Sequence, residues 1–317
     1  MTIARMHIVD AHSPGAYHVV TRCVRQAFLC GRDRFTGRDF SHRKRWIEER
    51  LFALAECFSI AVYAYAVMSN HVHLVVQTDP DAPRHWDAVE VLRRWFTVSR
   101  RRGESDEARQ QRIDAAIGNE ALVAKYRERL GSLSTFMQFL NESIARAANA
   151  EDGCKGRFWD GRFRCQALLD ESAVLSGMVY VDLNPVRAGV VDKPEAAEHV
   201  SVRRRFDAMK KAGPGALLMP VAGDGPARTV GEREYLELVD ATGRMLRADK
   251  PGSISRALPP ILMRLGLSER AWLGQVRGTQ SCYWRVIGSL QSFVAKADAL
   301  GQRWLKGCGF AKRLSCA

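Results

Sequence analysis

Segments rich in β-forming side chains alternate along the chain with segments whose apolar residues recur at helical spacing. Ala16–Val24 (AYHVVTRCV) follows the turn signal Ser13-Pro14-Gly15 and predicts a strand. Between Phe40 and Phe58, the residues Trp46, Ile47, Leu51, Phe52, Leu54 and Ala55 recur at helical spacing with charges between them, which predicts an amphipathic helix. Ile60–Met68 and His71–Gln77 read as two strands of a hairpin joined at Ser69-Asn70. Residues 80–132 then turn polar and arginine-rich, with Leu92-Arg93-Arg94-Trp95 and Arg100-Arg101-Arg102, and predict an inserted helical excursion with a solvated face. A helix is expected from about Ser134 to Ala150, with Ser132 or Ser134 as N-cap. GRFWDGRFRCQALL (156–169) breaks at Asp160-Gly161, the dipeptide of a tight hairpin turn. Asp170 then caps a helix that must stop near Asn184, because Pro185 pushes the residue before it out of the α region.

After Val191 the pattern changes. Residues 212–228 are dense in Gly, Pro and Ala and read as a linker. Residues 230–317 look entirely helical, with Trp272, Trp284 and Trp304 among the apolar positions, and suggest a small basic domain. A helix-turn-helix around Leu258–Arg277 and a plain helical bundle fit this part equally well, so a DNA-binding role for it stays open.

Charge sharpens the picture. Lys and Arg number 48 against 35 Asp and Glu, a net +13 that favours a polyanionic partner, nucleic acid being the commonest. A basic surface that only keeps the protein soluble is the plain alternative. The 8 cysteines include no C-x-x-C pair, so neither a zinc ribbon nor a redox dithiol is suggested. Their spread, the lack of an apolar segment near the N-terminus and the absence of any membrane-length apolar run point to a soluble protein of the cytosol.

Two short stretches carry candidate chemistry. In His71-Val72-His73 the two imidazoles sit on one face of a strand, about 7 Å apart along the chain, where they can grip the same cation or simply be half-buried. In Tyr180-Val181-Asp182-Leu183-Asn184-Pro185, Tyr180 and Asn184 lie four residues apart on one helix face, which continues through Ser176, Gly177 and Ala173. Small neighbours leave room for a substrate beside the tyrosine; equally, Tyr180 can be a packed core residue and Asn184 a helix cap. Arg157, Arg162 and Arg164, interleaved with Phe158, Trp159 and Phe163, have the basic-plus-aromatic texture used on single strands, or form a core edge with solvated arginines. Arg187 is a further phosphate-contact candidate. His18 reads as a packed histidine. Tyr63 and Tyr65, taken to share a strand face, are rival nucleophiles or cross-strand packing partners.

Four stretches, YHVVTR (17–22), YAVMSNHVHLVV (65–76), GRFWDGRF (156–163) and MVYVDLNPVRAG (178–189), are ordered and spaced as in the single-tyrosine HUH nucleases. The chain resembles the repetitive-extragenic-palindrome (REP)-associated tyrosine transposases of the insertion-sequence tyrosine transposase family over most of residues 16–191. That resemblance implies an α+β domain over residues 1–200, with a ferredoxin-like antiparallel sheet and the tyrosine helix crossing beside the HUH strand. It implies Tyr180 as nucleophile, and His71, His73 and Asn184 as ligands of Mg²⁺ or Mn²⁺. It also implies cleavage and rejoining of single-stranded, hairpin-forming DNA through a 5′-phosphotyrosine, by a monomer or homodimer. Departures are Ser69, where many relatives have Pro, the long excursion at 80–132, and the C-terminal 90 or so residues, which lie outside the resemblance. Two other readings are a DNA-binding regulator that keeps the fold without cleaving, and an RNA-binding protein, for which no RNP-like aromatic signature is present.

Overall fold

The computed structural model describes residues 8–24, 27–33, 37–211, 230–246, 262–263, 265, 267–280, 285–303 and 305–315. The linker 212–228, Trp284, Trp304 and the first residues of the possible helix-turn-helix (258–261, with 264 and 266) lie outside the described residues. The fold is α+β. Strands β1 (Gly15–Arg22), β2 (Ile60–Val67), β3 (His71–Thr78) and β4 (Arg164–Leu168) form an antiparallel sheet in the order β2-β3-β1-β4. Helix α1 (Arg43–Ala55) connects β1 to β2, and α5 (Leu133–Glu151) leads from β3 toward β4, which gives the ferredoxin-like arrangement expected. The two-residue connection Ser69-Asn70 closes the β2–β3 hairpin, with Met68 N–H donating to the His71 carbonyl at 2.9 Å.

Each sheet face has its own core. Because side chains alternate along a strand, Tyr17, Val19, Val72, Leu74 and Val76 point to one side, where they pack with Ile47, Leu51, Phe52 and Leu54 of α1 and Phe136, Met137 and Leu140 of α5. The excursion supplies α2 (Ala88–Val98), α3 (Asp106–Ala116) and α4 (Glu120–Leu130). Its charges do not mark a purely solvated face: Val91, Leu92, Trp95 and Phe96 are buried in this core, while Arg93 and Arg94 pair with Glu90.

The opposite face carries Ala16, His18, Val20, Arg22, His71, His73, Val75 and Gln166, as the registers Val20↔His73, His18↔Val75 and His18↔Gln166 require. Helix α6 (Glu171–Asp182) covers it, started by Asp170, whose Oδ1 accepts from Ala173 N–H at 3.0 Å. The helix ends at Asp182, two residues earlier than Pro185 alone suggested, and a separate turn α7 (Asn184–Arg187) follows, with the proline in its first turn where its missing N–H costs nothing. At Gly177 the helix lies so close to the sheet that a Cβ would come within 3.1 Å of Leu168 Cδ1 and 3.7 Å of Val75 Cγ2.

Three further expectations are corrected. Asp160-Gly161 makes no hairpin: residues 158–160 run back along β1, with Val24 N–H donating to the Phe158 carbonyl and Asp160 N–H to the Arg22 carbonyl, so the dipeptide marks an irregularity ahead of β4 rather than a reversal. Tyr63 and Tyr65 do not share a face, because a register shift between Val62 and Ala64 puts Tyr63 with the α6 core and Tyr65 with the α1 core. The region 230–317 is not wholly helical: besides α9 (Glu232–Leu246), α10 (Glu269–Thr279), α11 (Leu290–Ala299) and α12 (Cys308–Ser315) it holds β5 (Val286–Ile287), which pairs parallel with β4.

Tyr235, Leu238, Val239, Trp272, Val276 and Ile287 of this region share the buried cluster of α6. Asp182 ties them together. Fully buried, its carboxylate accepts from the Ser201 hydroxyl, from Val202 N–H at 2.9 Å and from Tyr235 OH at 2.5 Å, joining α6 to α8 (Ser201–Lys211) and α9. Among the described residues no helix is long and apolar enough to cross a membrane.

Close approach at Gly177 predicts that Gly177→Val, which overpacks the gap against Leu168, destabilises the protein by about 1–3 kcal/mol in urea unfolding. An unchanged midpoint would show that α6 sits on the sheet more loosely than described.

Candidate active site

The backbone registers bring the expected residues to one place. His73, on the interior strand β3, is buried. Tyr180, on the sheet-facing side of α6, sets its ring edge-on to His73 at 5.5 Å and to His18 at 5.7 Å. Asn184, one turn on, reaches His73: Asn184 Nδ2 lies 3.3 Å from His73 Nε2. His71, half-buried at the strand's start, is 4.8 Å from His73 between ring centroids and within hydrogen-bonding reach of Asn184. Arg187 holds its guanidinium 4.8 Å from the Tyr180 ring centroid and donates to Gln280 Oε1 at 2.6 Å.

A small pocket of about 50 Å³ opens here, lined among others by His18, Arg22, His73, Arg164, Tyr180 and Arg285. The walls therefore combine a phenol and imidazoles with three guanidinium groups, a mixture suited to an anionic guest. Arg164 is at this pocket. Arg157 and Arg162 are exposed away from it, and Arg162 precedes the strand instead of sharing a face with Arg164. Trp159 is half-buried against Phe158, and its indole N–H is committed to the Asn141 carbonyl at 2.8 Å. Tyr63 donates to Gln77 and Tyr65 to Glu48, the latter on the other side of the sheet, so neither competes with Tyr180 for the pocket.

Burial governs the protonation states. It pulls the imidazole of His71 down to about 4, helped by the nearby Arg22 charge, against the pull of Asn184. Burial also takes His18 down to about 4, against its hydrogen bond to Gln166, and holds His73 well below the ordinary histidine value. All three are neutral at pH 7. Burial raises the Tyr180 phenol above its usual range, while Arg187, Arg22 and Asn184 pull it back. The phenol is therefore protonated at rest, with two cationic groups placed to favour the phenolate when it forms.

A cation's fit can be read from the ring nitrogens. His71 Nδ1 is engaged by Asn70 Oδ1 at 2.6 Å and His73 Nδ1 by His18 Nε2 at 2.9 Å, which leaves Nε2 of each ring as the lone-pair donor for a cation, Nε2 of His73 being the atom next to Asn184. Metal-ligating histidines characteristically have their second nitrogen held in this way. Ligands in adjacent positions of a small divalent cation, each about 2.1 Å from it, lie about 3 Å apart, close to the 3.3 Å between Asn184 Nδ2 and His73 Nε2. Turning the amide over would offer its oxygen instead of its nitrogen. No group of three His, Cys, Asp or Glu side chains able to hold a metal occurs among the described residues. A cation here would take two neutral imidazoles and a carboxamide, a set compatible with Mg²⁺ or Mn²⁺.

Sequence reasoning treated His18 only as packing and passed over Arg22, Asn70, Gln166 and Arg285. The alternation His18-Val19-Val20-Thr21-Arg22 held part of the signal, since it puts His18 and Arg22 on one face of β1. Their meeting with His71 and His73 needed the strand pairing, which no local pattern reveals.

No family model matches the chain, and no curated protein matches it. Among solved structures it is similar to a REP-associated tyrosine transposase bound to a REP hairpin, at 12% identity and a TM-score of 0.40, over 73% of this chain and 99% of that one.

Neutral when folded down to about pH 4, His71 takes up its proton near 6.5 when unfolded, so between those values the unfolded chain binds more protons and stability falls as the pH drops. In EDTA, the stability lost between pH 7 and pH 5 should be smaller in His71→Gln than in wild type, by on the order of 2 kcal/mol. Equal losses in the two proteins would mean that His71 is not held neutral.

Proposed function

We propose that this protein cleaves and rejoins single-stranded DNA, with Tyr180 as the nucleophile. The observation that supports the reading is the convergence of the Tyr180 ring and Asn184 on His73, which together with Tyr180 lines an arginine-walled pocket. The sequence resemblance supplies the substrate class: hairpin-forming single strands of the kind transposases act on.

A scissile phosphate entering the pocket meets Arg22, Arg164 and Arg285, whose charges offset its own and hold it beside the phenol. Tyr180 oxygen attacks phosphorus in line with the 3′ oxygen. The O–P bond to tyrosine forms, the P–O3′ bond breaks, the phenolic proton leaves, and the departing oxygen ends as a free 3′-OH. Arg187, within hydrogen-bonding reach of the phenol, stabilises the charge that develops there. A Mg²⁺ or Mn²⁺ ion held by His71, His73 and Asn184 would polarise the phosphate and neutralise charge on the leaving oxygen. Since the phosphotyrosine keeps the energy of the bond, attack by a 3′-OH rejoins the strand without ATP. Arg157 and Arg162, exposed outside the pocket, are assigned to the flanking backbone, and Arg187 to the phosphate side of the tyrosine.

Hairpin-forming single strands from the gene's flanks, incubated with Mn²⁺, should give a covalent protein–DNA adduct with wild type and none with Tyr180→Phe or in EDTA. Tight binding without an adduct from wild type would replace this reading with a non-cleaving DNA-binding regulator. Because burial keeps the phenol protonated, the single-turnover rate should rise about tenfold per pH unit from 7 to 9. A flat profile across that range would contradict attack by a phenol that must first lose its proton.

A further inference from the structure

From His73 a line of hydrogen bonds runs across the sheet to His18 and Gln166, which line the same pocket. His73 Nδ1 lies 2.9 Å from His18 Nε2, and His18 Nδ1 lies 2.7 Å from Gln166 Oε1. The His18 and His73 rings lie nearly parallel, 7° between their planes and 5.1 Å between centroids, and His18, His73 and Gln166 are all buried. The three residues come from adjacent strands, β3, β1 and β4, and their registers place them side by side on one face.

Such a chain has a direction. A carboxamide oxygen can only accept, so with Gln166 Oε1 facing it, His18 Nδ1 carries the hydrogen and His18 Nε2 offers its lone pair. His73 Nδ1 must then be the donor, and His73 Nε2, the nitrogen facing Asn184, is left bare. Were the Gln166 amide reversed, its N–H would donate to His18 Nδ1. Each hydrogen would move to the other nitrogen, and His73 would present an N–H toward Asn184, which cannot ligate a cation.

We propose that His18 and Gln166 are positioning residues that fix the tautomer of His73 so that its Nε2 lone pair faces the site. The assignment deepens the reading of His73 as a cation ligand and rests on it for its purpose, although the tautomer itself can be observed without any metal. Both line the pocket, but neither is assigned as a cation ligand. Their effect is exerted through His73, as the second partner of a ligating histidine sets its orientation and its donor strength.

The test uses the full-length protein labelled with ¹⁵N-histidine and Mn²⁺ as the probe. In metal-free wild type, long-range ¹H–¹⁵N correlation should show His73 protonated at Nδ1. In Gln166→Leu, which removes the acceptor, and in His18→Phe, which breaks the line, the His73 signals should move toward the other tautomer, and Mn²⁺ affinity should fall by about 10- to 100-fold. Gln166→Glu keeps an acceptor and should keep both the tautomer and the affinity within a few-fold, a rescue that simple packing at 166 does not explain. If His18→Phe fails to fold, the two Gln166 variants decide the matter between them. Protonation of His73 at Nε2 in wild type, or an unchanged tautomer in Gln166→Leu, would overturn the proposal. A wild type protonated at Nδ1 that binds no Mn²⁺ would support the relay and overturn the metal reading.

Discussion

How closely α6 lies on the sheet controls everything at the site. A tyrosine hydroxyl and a strand histidine can share a pocket only if helix and sheet approach within the reach of two side chains. Gly177 permits this, since the space a Cβ would need is taken by Leu168 and Val75. Ala173, Gly177, Tyr180 and Asn184 fall on the same side at spacings of four, three and four, so the small residues that let the helix settle are aligned with the two that meet His73. From the far end Asp182 fixes the position, its buried carboxylate satisfied by Ser201, Val202 and Tyr235. Burial pushes that carboxyl up to about 6, which marks the cost of the anchor. The C-terminal region thus bears on the site by holding the tyrosine helix, and it adds Arg285 to the pocket wall.

Electrostatically the pocket separates two jobs. The imidazoles here are largely buried and uncharged, available as lone-pair donors, while the positive charge comes from arginines, which stay ionised in almost any surroundings. An anionic guest would then be attracted by groups that keep their charge, next to nitrogens that have none. The buried histidines avoid the penalty of unsatisfied polar atoms by bonding to one another and to Gln166 and Asn184.

Much of this was legible in the chain itself. Ser132 and Asp170 cap the helices they announce, and His71-Val72-His73 lies on a strand with both rings on one face, because capping and strand alternation are local rules. Failures came where tertiary contacts override local signals. Asp160-Gly161 carries a hairpin signature, yet its neighbours pair back to β1. Val286–Ile287 is too short to announce itself as a strand and exists because β4 offers an open edge. A single extra residue in β2 sends Tyr63 and Tyr65 to opposite faces, a slip that period-two reasoning cannot see. His18 looked like packing because a histidine in an apolar strand usually is; its partner stands 55 positions away.

The central claim is that Tyr180 itself attacks the phosphate. Cleavage after Arg164 and Arg187 releases the peptide Cys165–Arg187, which contains a single tyrosine. Mass spectrometry of the trapped protein–DNA adduct, digested with trypsin and nuclease, locates the attached nucleotide. The account predicts a 5′-nucleotide phosphate on Tyr180 within that peptide. A nucleotide carried by any other residue would contradict it.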